Sequence, residues 1–276
     1  MKMKKVTIIG AGFMGGSLAL ALKKKRLASQ VWAVARNKKR KEQIRRLKVF
    51  DRVTCDWASA LADCDCVVLA TPVALIIEHI KRIAPCLEAK TIVTDMGSTK
   101  SQIVKAARLH LPESFVGSHP LCGSEKKGAT FADAGLFKAA CCIVTPLKRN
   151  MAFRKVVWLW KGLGSDVVIL KADAHDRALA YVSGLPHLVS FALTQTLPAS
   201  FSKFAAGSLK DLTRISASSG KLWADIFLSN VRSLDKATAA FLKNIISLRS
   251  TIAKKKKRKL LSSLATINRK QKRLVK

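Results

Sequence analysis

Acidic side chains are the scarcest feature of this sequence for its length. Its 276 residues include 17 Asp and Glu against 51 Lys and Arg, and no carboxylate side chain follows Asp235. A net charge of +34 is of the kind that nucleic-acid-binding proteins carry. The basic residues are nevertheless spread along the whole chain, with few aromatic residues among them and the longest unbroken basic run at Lys254–Lys259. We therefore interpret the charge as a solvated, lysine-rich surface and expect no nucleic-acid partner.

The chain also lacks paired cysteines and long apolar runs. Seven cysteines, an odd number without Cys-x-x-Cys spacing, argue against a disulfide framework and a zinc site and predict reduced thiols. The longest apolar run, Cys66–Ile77, is too short to cross a bilayer and contains Pro72. Met1–Lys5 lead directly into a strand pattern, so we expect no signal peptide. These features predict a cytoplasmic protein without a membrane segment.

A glycine-rich loop near the start of the chain predicts a dinucleotide-binding site. The apolar run Val6–Ile9 precedes the loop, and the helical pattern Ser17–Leu22 follows it. In such strand–loop–helix units the first glycine allows a tight turn, the second lets the backbone approach the pyrophosphate, and the third allows close helix–strand packing. The phosphates then lie at the helix N-terminus. The cofactor-binding residues predicted for this loop are Gly10, Gly12, Phe13, Met14 and Gly15.

The end of the second predicted strand, residues 31–35, indicates which nicotinamide cofactor binds. Folds that bind NAD place an Asp or Glu there for the adenosine ribose. This chain instead has Ala35, followed by Arg36, Asn37 and the basic residues 38–41. Because Arg makes charge-assisted bidentate bonds to phosphate oxygens, we predict NADP with Arg36 at its 2′-phosphate, and NAD as the alternative.

Two further predicted strands end in polar turns at the same edge of the sheet. The strand Cys66–Ala70 is followed by Thr71 and Pro72, and the strand Ile92–Thr94 by a turn that contains Ser98. Ligands of open parallel sheets bind at the carboxyl ends of the strands, so Thr71 and Pro72 are predicted to contact the cofactor. Ser98 either caps the following helix or hydrogen-bonds a substrate hydroxyl.

The stretch 117–128 contains the histidine that we predict to carry the chemistry. Gly117 and Pro120 indicate a turn rather than a helix or a strand, which would present His119 on a loop. Reacting groups are often placed on loops of a rigid scaffold, and an imidazole that titrates near neutrality is well matched to accept a proton. The alternative, which we would favour for an isolated Ser-His-Pro, is a surface histidine in a tight turn.

Strand patterns stop after residue 170, and helical patterns follow. Asp176 and His187 lie eleven residues apart, close to three helical turns, so they share a face if the kink expected at Pro186 is mild. Asp211 and Arg214 are spaced to lie on one side of a helix, where the alternative is an exposed ion pair. The predicted fold is an α/β, Rossmann-type dinucleotide-binding domain (1–171), an all-helical substrate and dimerisation domain (172–253) and a basic C-terminal helix or tail (254–276).

Taken together, these motifs resemble the prephenate and arogenate dehydrogenases of tyrosine biosynthesis over roughly residues 5–248. The similar segments, in chain order, are the glycine loop through Ser17, Asp95–Lys100, Gly117–Gly123 with Glu125 and Gly128, Leu185–His187, Asp211 with Thr213 and Arg214, and Leu222 with Trp223. Any one of these segments is weak, but their order and spacing together are specific.

The resemblance implies an oxidative decarboxylation of a cyclohexadiene acid, in which a hydride leaves the hydroxyl-bearing ring carbon for the nicotinamide. It implies that His119 deprotonates the ring hydroxyl, that Ser98 orients it, and that Arg214 clamps a carboxylate. The other substrate-side residues that it implies are His187, Trp223, Gly207 near the substrate side chain, and Glu125, Asp211 and Asp176 as a polar gate that positions Arg214. It further implies a homodimer through the helical domain. Prephenate and arogenate need the same chemistry, so both remain open as substrates.

Two alternative functions would need sequence features that this chain lacks. A β-hydroxyacid dehydrogenase would need a catalytic lysine within a glycine-containing helix of the second domain, and no such segment follows Leu170. A basic nucleic-acid-binding protein on a degenerate dinucleotide fold would be favoured by a broken cofactor loop, but every glycine of that loop is present.

Overall fold

The computed structural model describes residues 2–123 and 128–274. The chain alternates strands and helices up to residue 169 and is helical from there onward. The strands are β1 (Met3–Ile9), β2 (Ala28–Val34), β3 (Arg52–Thr54), β4 (Cys66–Leu69), β5 (Ile92–Asp95), β6 (Phe115–Pro120), β7 (Cys141–Pro146) and β8 (Asp166–Ile169). The helices between them are α1 (Phe13–Lys24), α2 (Lys38–Arg46), α3 (Trp57–Leu61), α4 (Val73–Ile83), α5 (Ser101–His110) and α6 (Met151–Gly162).

All eight strands form one sheet in the order β3-β2-β1-β4-β5-β6-β7-β8. The strands β1 to β6 are parallel, β7 runs antiparallel to β6, and β8 is parallel to β7. The reversal of order beside β1 is the arrangement in which loops at the carboxyl ends of the strands form a ligand crevice. The predicted Rossmann-type domain is therefore confirmed.

Successive strand residues supply two hydrophobic cores, one on each face of the sheet. Ile8 packs into the core that includes α1 and α6, whereas its neighbour Ile9 packs into the core that includes α3, α4 and α5. Val68 and Val67 divide in the same way on β4. This two-sided burial makes the strands continuous apolar runs, as the sequence pattern predicted.

The helical part begins directly after β8. Its helices are α7 (Ala172–Leu179), α8 (Leu185–Thr196), α9 (Gly207–Thr213), α10 (Gly220–Ser229), α11 (Val231–Ala253) and α12 (Lys257–Leu274). The expected kink differs from the observed one, because residues 180–184 form a π-helical turn and Pro186 lies in the first turn of α8. Gly184 and Leu185 keep α-helical backbone angles, so Pro186 lies inside a continuous helical stretch, and its missing N–H leaves one helical hydrogen bond unmade beside the π-helical turn.

By packing, the chain divides into two units, Met1–Asn230 and Val231–Lys276. The first unit contains the sheet together with α7 to α10, and the second contains α11 and α12. Among the described residues, no helix is both long enough and apolar enough to span a lipid bilayer.

Candidate active site

The glycine loop after β1 has the geometry of a phosphate-binding turn. Gly10 has a φ of +112°, and a Cβ there would lie 2.5 Å from the carbonyl oxygen of Ala70, so only glycine fits between the ends of β1 and β4. A Cβ on Gly12 would meet nothing within 4 Å. The N-terminus of α1 has no side-chain cap and no acidic residue in its first turn. The loop therefore leaves open space beside unpaired backbone N–H groups, as a pyrophosphate requires.

The other predicted cofactor residues lie around this loop. Phe13 and Met14 are the first residues of α1, and Pro72 immediately precedes α4. The hydroxyl oxygen of Thr71 is buried without a hydrogen-bond partner in the described part of the chain. Because a buried hydroxyl is normally bonded, an unpartnered one beside the loop fits a dinucleotide that supplies the missing partner.

The cationic side chain predicted for the adenosine end is exposed beyond β2. Arg36 forms no ion pair or hydrogen bond with the described residues, and Asn37 caps α2 by accepting from the N–H of Arg40 at 2.8 Å. Asp56, which follows the adjacent strand β3, is occupied as the cap of α3. The structure therefore places a free guanidinium, and no free carboxylate from these two strand ends, at this position.

His119 lies in a strand, so the predicted turn at 117–128 is wrong over its first part. Residues 117–120 complete β6 and pair with β7, with His119 opposite Ile143 and Pro120 opposite Cys142. Gly and Pro are weak strand formers, but β5 pairs with β6 only at Phe115 and Val116, so Pro120 lies on a part of β6 whose other side is an edge, where a missing N–H is tolerated. A pairing strand that begins more than twenty residues later overrides the local turn signal.

A buried ion pair holds the backbone next to His119. The ammonium of Lys100 pairs with Oδ2 of Asp95, and neither side chain has exposed surface. Oδ1 of Asp95 accepts from the N–H of Ser118 at 3.1 Å, and Oδ2 accepts from the N–H of Gly97 at 2.8 Å. The Ser118 hydroxyl accepts from Trp160 Nε1 at 2.9 Å. These bonds fix the end of β6 relative to β5 and α6.

The imidazole of His119, which is itself partly exposed, begins a second chain of hydrogen bonds whose other members are buried. Its Nδ1 lies 2.8 Å from Nε2 of His175, whose Nδ1 lies 2.8 Å from Oδ1 of Asp176. Asp176 in turn accepts from the N–H of Lys100 at 2.7 Å and from the N–H of Ser101 at 2.8 Å. Asp176, on α7, thereby caps the N-terminus of α5, although the two helices are far apart in the sequence.

Burial controls the protonation of these groups. It lowers the pKa of His119 well below 6.5, with smaller contributions from the neighbouring His175 and Lys100. Burial also lowers the pKa of His175. It acts to raise the pKa of Asp176, but hydrogen bonds from His175, from Ser101 and from backbone N–H groups outweigh it, and the pKa lies below its ordinary value. The histidines are therefore neutral and the carboxylate ionised near pH 7.

Ser98 lies partly exposed in the turn after β5 and does not cap a helix. Helix α5 begins at Ser101 without a side-chain cap of its own, because Asp176 provides the acceptors. The Ser98 hydroxyl forms no hydrogen bond with the residues that the structure describes. Of the two roles predicted for it, the hydroxyl is thus left available for a ligand.

On the helical side, His187 and Trp223 form one stacked pair. Their ring centroids are 3.5 Å apart at an interplanar angle of 22°, which joins α8 to α10. Nδ1 of His187 donates to the carbonyl oxygen of Ser183 at 2.9 Å, and burial lowers the pKa of the His187 imidazole. Because Nδ1 carries the proton, the neutral ring keeps Nε2 as an acceptor.

The polar gate expected around Arg214 differs in the structure. Helix α9 ends at Thr213 and Arg214 begins a 3₁₀ turn, so the Asp211–Arg214 spacing does not continue in one helix, and no ion pair joins these two described, exposed side chains. Asp176 is buried and bonded to His175 and α5, so it does not position Arg214. Gly207, the first residue of α9, is exposed. Glu125 lies outside the described residues.

Four contributors to this site were missed by sequence reasoning: Asp95, Lys100, His175 and Trp160. Asp95 and Lys100 were named only as ends of a segment that carries the family resemblance. His175 and Trp160 lie within α7 and α6, in stretches that form no recognisable motif. One usable signal existed, since the chain has only five histidines and one of them directly precedes Asp176.

Known proteins share both halves of this architecture. Residues 18–169 match the family described as prephenate dehydrogenase, nucleotide-binding domain, and residues 171–266 match prephenate dehydrogenase, dimerization domain. The chain is 32% identical over 260 residues to the cyclohexadienyl dehydrogenase of Zymomonas mobilis, covering 91% of this chain and 89% of that protein. It is 32% identical over 236 residues to the prephenate dehydrogenase of Bacillus subtilis, covering 82% of this chain and 64% of that protein.

A solved structure is similar over nearly the whole length. The prephenate dehydrogenase of A. aeolicus, crystallised with hydroxyphenyl propionate and NAD+, superposes with a TM-score of 0.92 at 30% identity and covers 99% of each chain. The two-part architecture described above is thus shared across both the sheet and the helices.

Proposed function

Because this chain belongs to the prephenate dehydrogenase family, we propose that it oxidises and decarboxylates prephenate or arogenate with NADP. The observation that carries the proposal is the position of His119. It stands at the carboxyl end of β6, at the same sheet edge as the glycine loop after β1, with its Nδ1 already hydrogen-bonded to His175. A base is thereby set beside the crevice where the fold binds a dinucleotide.

In the proposed reaction His119 removes the proton of the substrate's ring hydroxyl. The Ser98 hydroxyl, which is free within the described chain, binds the same oxygen and orients it. The bound nicotinamide supplies the hydride acceptor. Loss of the hydride and the proton turns the ring C–OH into C=O. As the ring carboxylate leaves as carbon dioxide, the electron pair of the broken C–C bond moves through the ring to that oxygen, and the aromatic phenolate that forms takes back a proton. The chain's own contribution is a neutral, positioned base, because the burial that lowers the pKa of His119 keeps its lone pair available.

Arg214 is proposed to bind a substrate carboxylate. Its guanidinium is exposed and without an ion pair among the described residues, so its two-pronged hydrogen-bonding edge is free. That edge matches a carboxylate in geometry and in charge. His187, stacked on Trp223, is proposed to bind beside it. Gly207, Asp211 and Glu125 remain proposed substrate-side residues without an assigned contact.

The preference for NADP rests on Arg36. Its side chain is exposed and unpaired, the first turn of α2 has no acidic residue, and Asp56 is used as a helix cap. A 2′-phosphate would meet cations here, whereas the ribose hydroxyls of NAD would find no carboxylate from these strand ends. NAD is the alternative, and it is the cofactor named for the A. aeolicus structure.

We further propose a cytoplasmic homodimer. Residues 171–266 match a dimerization domain, and exposed apolar side chains are frequent on its helices. They include Val182, Phe204, Leu228 and Ile246. The cysteines, all free, fit a reducing compartment. We also propose that the chain consists of a dinucleotide-binding domain (1–171), a helical substrate and dimerisation domain (172–253) and a basic C-terminal helix (254–276).

Reduced-nicotinamide formation tests the function directly. Purified protein is assayed with prephenate or arogenate against NAD or NADP, with His119→Asn as the inactive control. We expect turnover with at least one substrate and a higher kcat/KM with NADP. Absence of turnover in all four combinations, with dinucleotide binding intact, would contradict the proposed reaction.

A paired substitution tests the cofactor assignment. Arg36→Gln is compared with Arg46→Gln, which removes an arginine from the far end of α2. Losing a charge-assisted phosphate contact costs about 1.5–3 kcal/mol, so the KM for NADP should rise about 10- to 100-fold in Arg36→Gln alone. The KM for NAD should not change. Equal effects of both variants, or none, would remove the argument for NADP.

A further inference from the structure

We propose that His175 and Asp176 are positioning residues that hold His119 in one tautomer, with its proton on Nδ1 and the lone pair of Nε2 free to accept the substrate's proton. The inference rests on the proposed role of His119 as the base, and it assigns the residues that prepare that base. The three side chains form one line of hydrogen bonds that starts at a helix N-terminus and ends at the sheet edge.

Asp176 determines which atom donates and which accepts in each hydrogen bond of this line. Its carboxylate accepts two backbone hydrogen bonds from the start of α5, from Lys100 and Ser101, at 2.7 and 2.8 Å. These N–H groups and the positive end of the helix dipole favour the ionised carboxylate. An ionised carboxylate only accepts hydrogen bonds, so the proton between Asp176 and His175 belongs to Nδ1 of His175.

His175 transmits the direction to His119. The His175 side chain has no exposed surface, and burial lowers its pKa, so the ring is neutral and carries one proton. That proton is on Nδ1, and Nε2 of His175 is therefore an acceptor. The atom 2.8 Å away, Nδ1 of His119, must then be the donor.

The same logic leaves His119 prepared for proton abstraction. A neutral His119 with its one N–H proton on Nδ1 has a lone pair on Nε2 that can accept a proton. When Nε2 takes the proton of the substrate hydroxyl, the O–H bond breaks, an N–H bond forms, and the ring becomes an imidazolium. Its Nδ1–H bond to His175 then becomes charge-assisted, and the charge of Asp176 lies at the end of the line.

Charged groups on the neighbouring elements bias this step in both directions. Lys100 at the start of α5 disfavours a cation on either histidine, and Asp176 on α7 favours one on His175. Asp95 at the end of β5 is paired with Lys100, which limits the net field of that lysine. The tautomer is accordingly set by hydrogen-bond direction, while these charges set how readily the base becomes protonated.

Nitrogen NMR of histidine-labelled protein measures the tautomer without any turnover. The chain has five histidines, and His119→Asn and His175→Gln identify the two relevant rings. We expect one-bond protons on Nδ1 of both His119 and His175 in the NADP-bound enzyme. A proton on Nε2 of His119 in the resting enzyme would overturn the proposal. This result stands even if the wild-type protein oxidises neither prephenate nor arogenate, which would contradict only the proposed function.

Two substitutions at His175 separate positioning from packing. His175→Leu fills the space without an acceptor, whereas the amide of His175→Gln can accept from His119 and donate to Asp176. We expect kcat to fall about 10- to 100-fold in His175→Leu, with cofactor affinity unchanged and partial recovery in His175→Gln. A wild-type kcat in His175→Leu, or equal losses in both variants, would contradict the proposal.

A third pair keeps the proposal testable if His175→Leu fails to fold. Asp176→Asn removes the negative charge and is compared with Asp173→Asn, because Asp173 is an exposed carboxylate on the same helix whose one side-chain hydrogen bond to the described residues comes from the Ser101 hydroxyl. Because the charge of Asp176 stabilises the imidazolium, the acid limb of kcat/KM should move to lower pH in Asp176→Asn alone. An unmoved limb, or an equal shift in both variants, would count against the proposal.

Discussion

The charged and polar groups near His119 are buried and paired, whereas the two arginines proposed to bind ligands, which we call the outer arginines, are exposed and unpaired among the described residues. Asp95, Lys100 and His175 have no exposed side-chain surface, and each is bonded to at least one partner. Arg36 and Arg214 are exposed, and neither forms an ion pair with the described residues. One region is preorganised and dry, and the other remains hydrated.

The difference follows from what each region must do. A buried charge without a partner costs several kcal/mol, so groups that position a base must be paired inside the protein before any ligand arrives. A cation that binds an anionic ligand needs the opposite, because a permanent carboxylate partner would compete with the ligand. Among the acidic residues that the structure describes, the carboxylates of residues 95 and 176 are buried, and the two exposed arginines are left without a carboxylate partner.

Among substitutions in the two regions, replacing the proposed base should cause the largest loss of activity. His119→Asn removes the proton acceptor, and general-base catalysis is worth about 10²- to 10⁴-fold, so kcat should fall by that amount. The dissociation constant for NADP, measured by fluorescence titration, should stay within about twofold of the wild type. If NADP affinity fell in parallel with kcat, His119 would belong to the cofactor site instead.

Breaking the buried ion pair should affect folding more than any exposed pair does. Lys100→Met leaves Asp95 buried without its cation, and removing one partner of such a pair costs about 3–5 kcal/mol in the free energy of unfolding. Urea denaturation measures this loss. The matched control is Lys90→Met, whose exposed ammonium pairs with Glu88 and which should leave the midpoint nearly unchanged. Equal midpoints for the two variants would remove the contrast between the regions.

Substitution of the outer arginine should change binding and leave the fold intact. Arg214→Gln removes a bidentate, charge-assisted contact, and such contacts contribute about 1.5–3 kcal/mol, so the KM of the substrate should rise about 10- to 100-fold. Arg214→Lys should recover only part of the loss, because an ammonium cannot bind both oxygens in the same plane. The thermal midpoint should not move. A lower midpoint with an unchanged KM would make Arg214 a structural residue.

The smallest expected effect is on the pH dependence between pH 7.5 and 6.5. The proposed reaction needs neutral His119, and burial lowers the pKa of this histidine well below 6.5, so protonation begins only at lower pH. We expect kcat/KM to change less than about twofold over that interval and to fall only below it, whereas an exposed histidine would lose half of its base form near pH 6.5. A midpoint at or above pH 6.5 would show that the base is hydrated in the free enzyme.

Most of the cofactor half could be predicted from the sequence, because its signals are local. A glycine that needs a positive φ, an apolar run before it and a helix after it lie within a few residues of one another, as do the turns that follow the parallel strands. The proposal that His119 is the reacting group came from the same short segments and from the family resemblance that they carry.

Local signals failed where a distant segment completes the structure. Glycine and proline around His119 indicate a turn, yet β7 pairs with these residues and makes them a strand. Ser98 has the spacing of a helix cap, yet Asp176 supplies the cap from 75 residues away. Asp211 and Arg214 have helical spacing, yet the helix ends between them. In the first two cases a hydrogen bond from a distant segment decided the conformation.

The sequence by itself therefore determined the Rossmann-type sheet and the glycine loop after β1, and it indicated Arg36 and His119 as the residues to propose for the cofactor and for the chemistry. Only the tertiary structure decided which atom of His119 is free, because that depends on a contact with His175, 56 residues away, and on the carboxylate beyond it. Periodicity records which face of a helix is apolar, but it does not record the rotation and depth at which the helix packs. Those two quantities place an imidazole within hydrogen-bond distance of another, and they arise from packing of the whole chain.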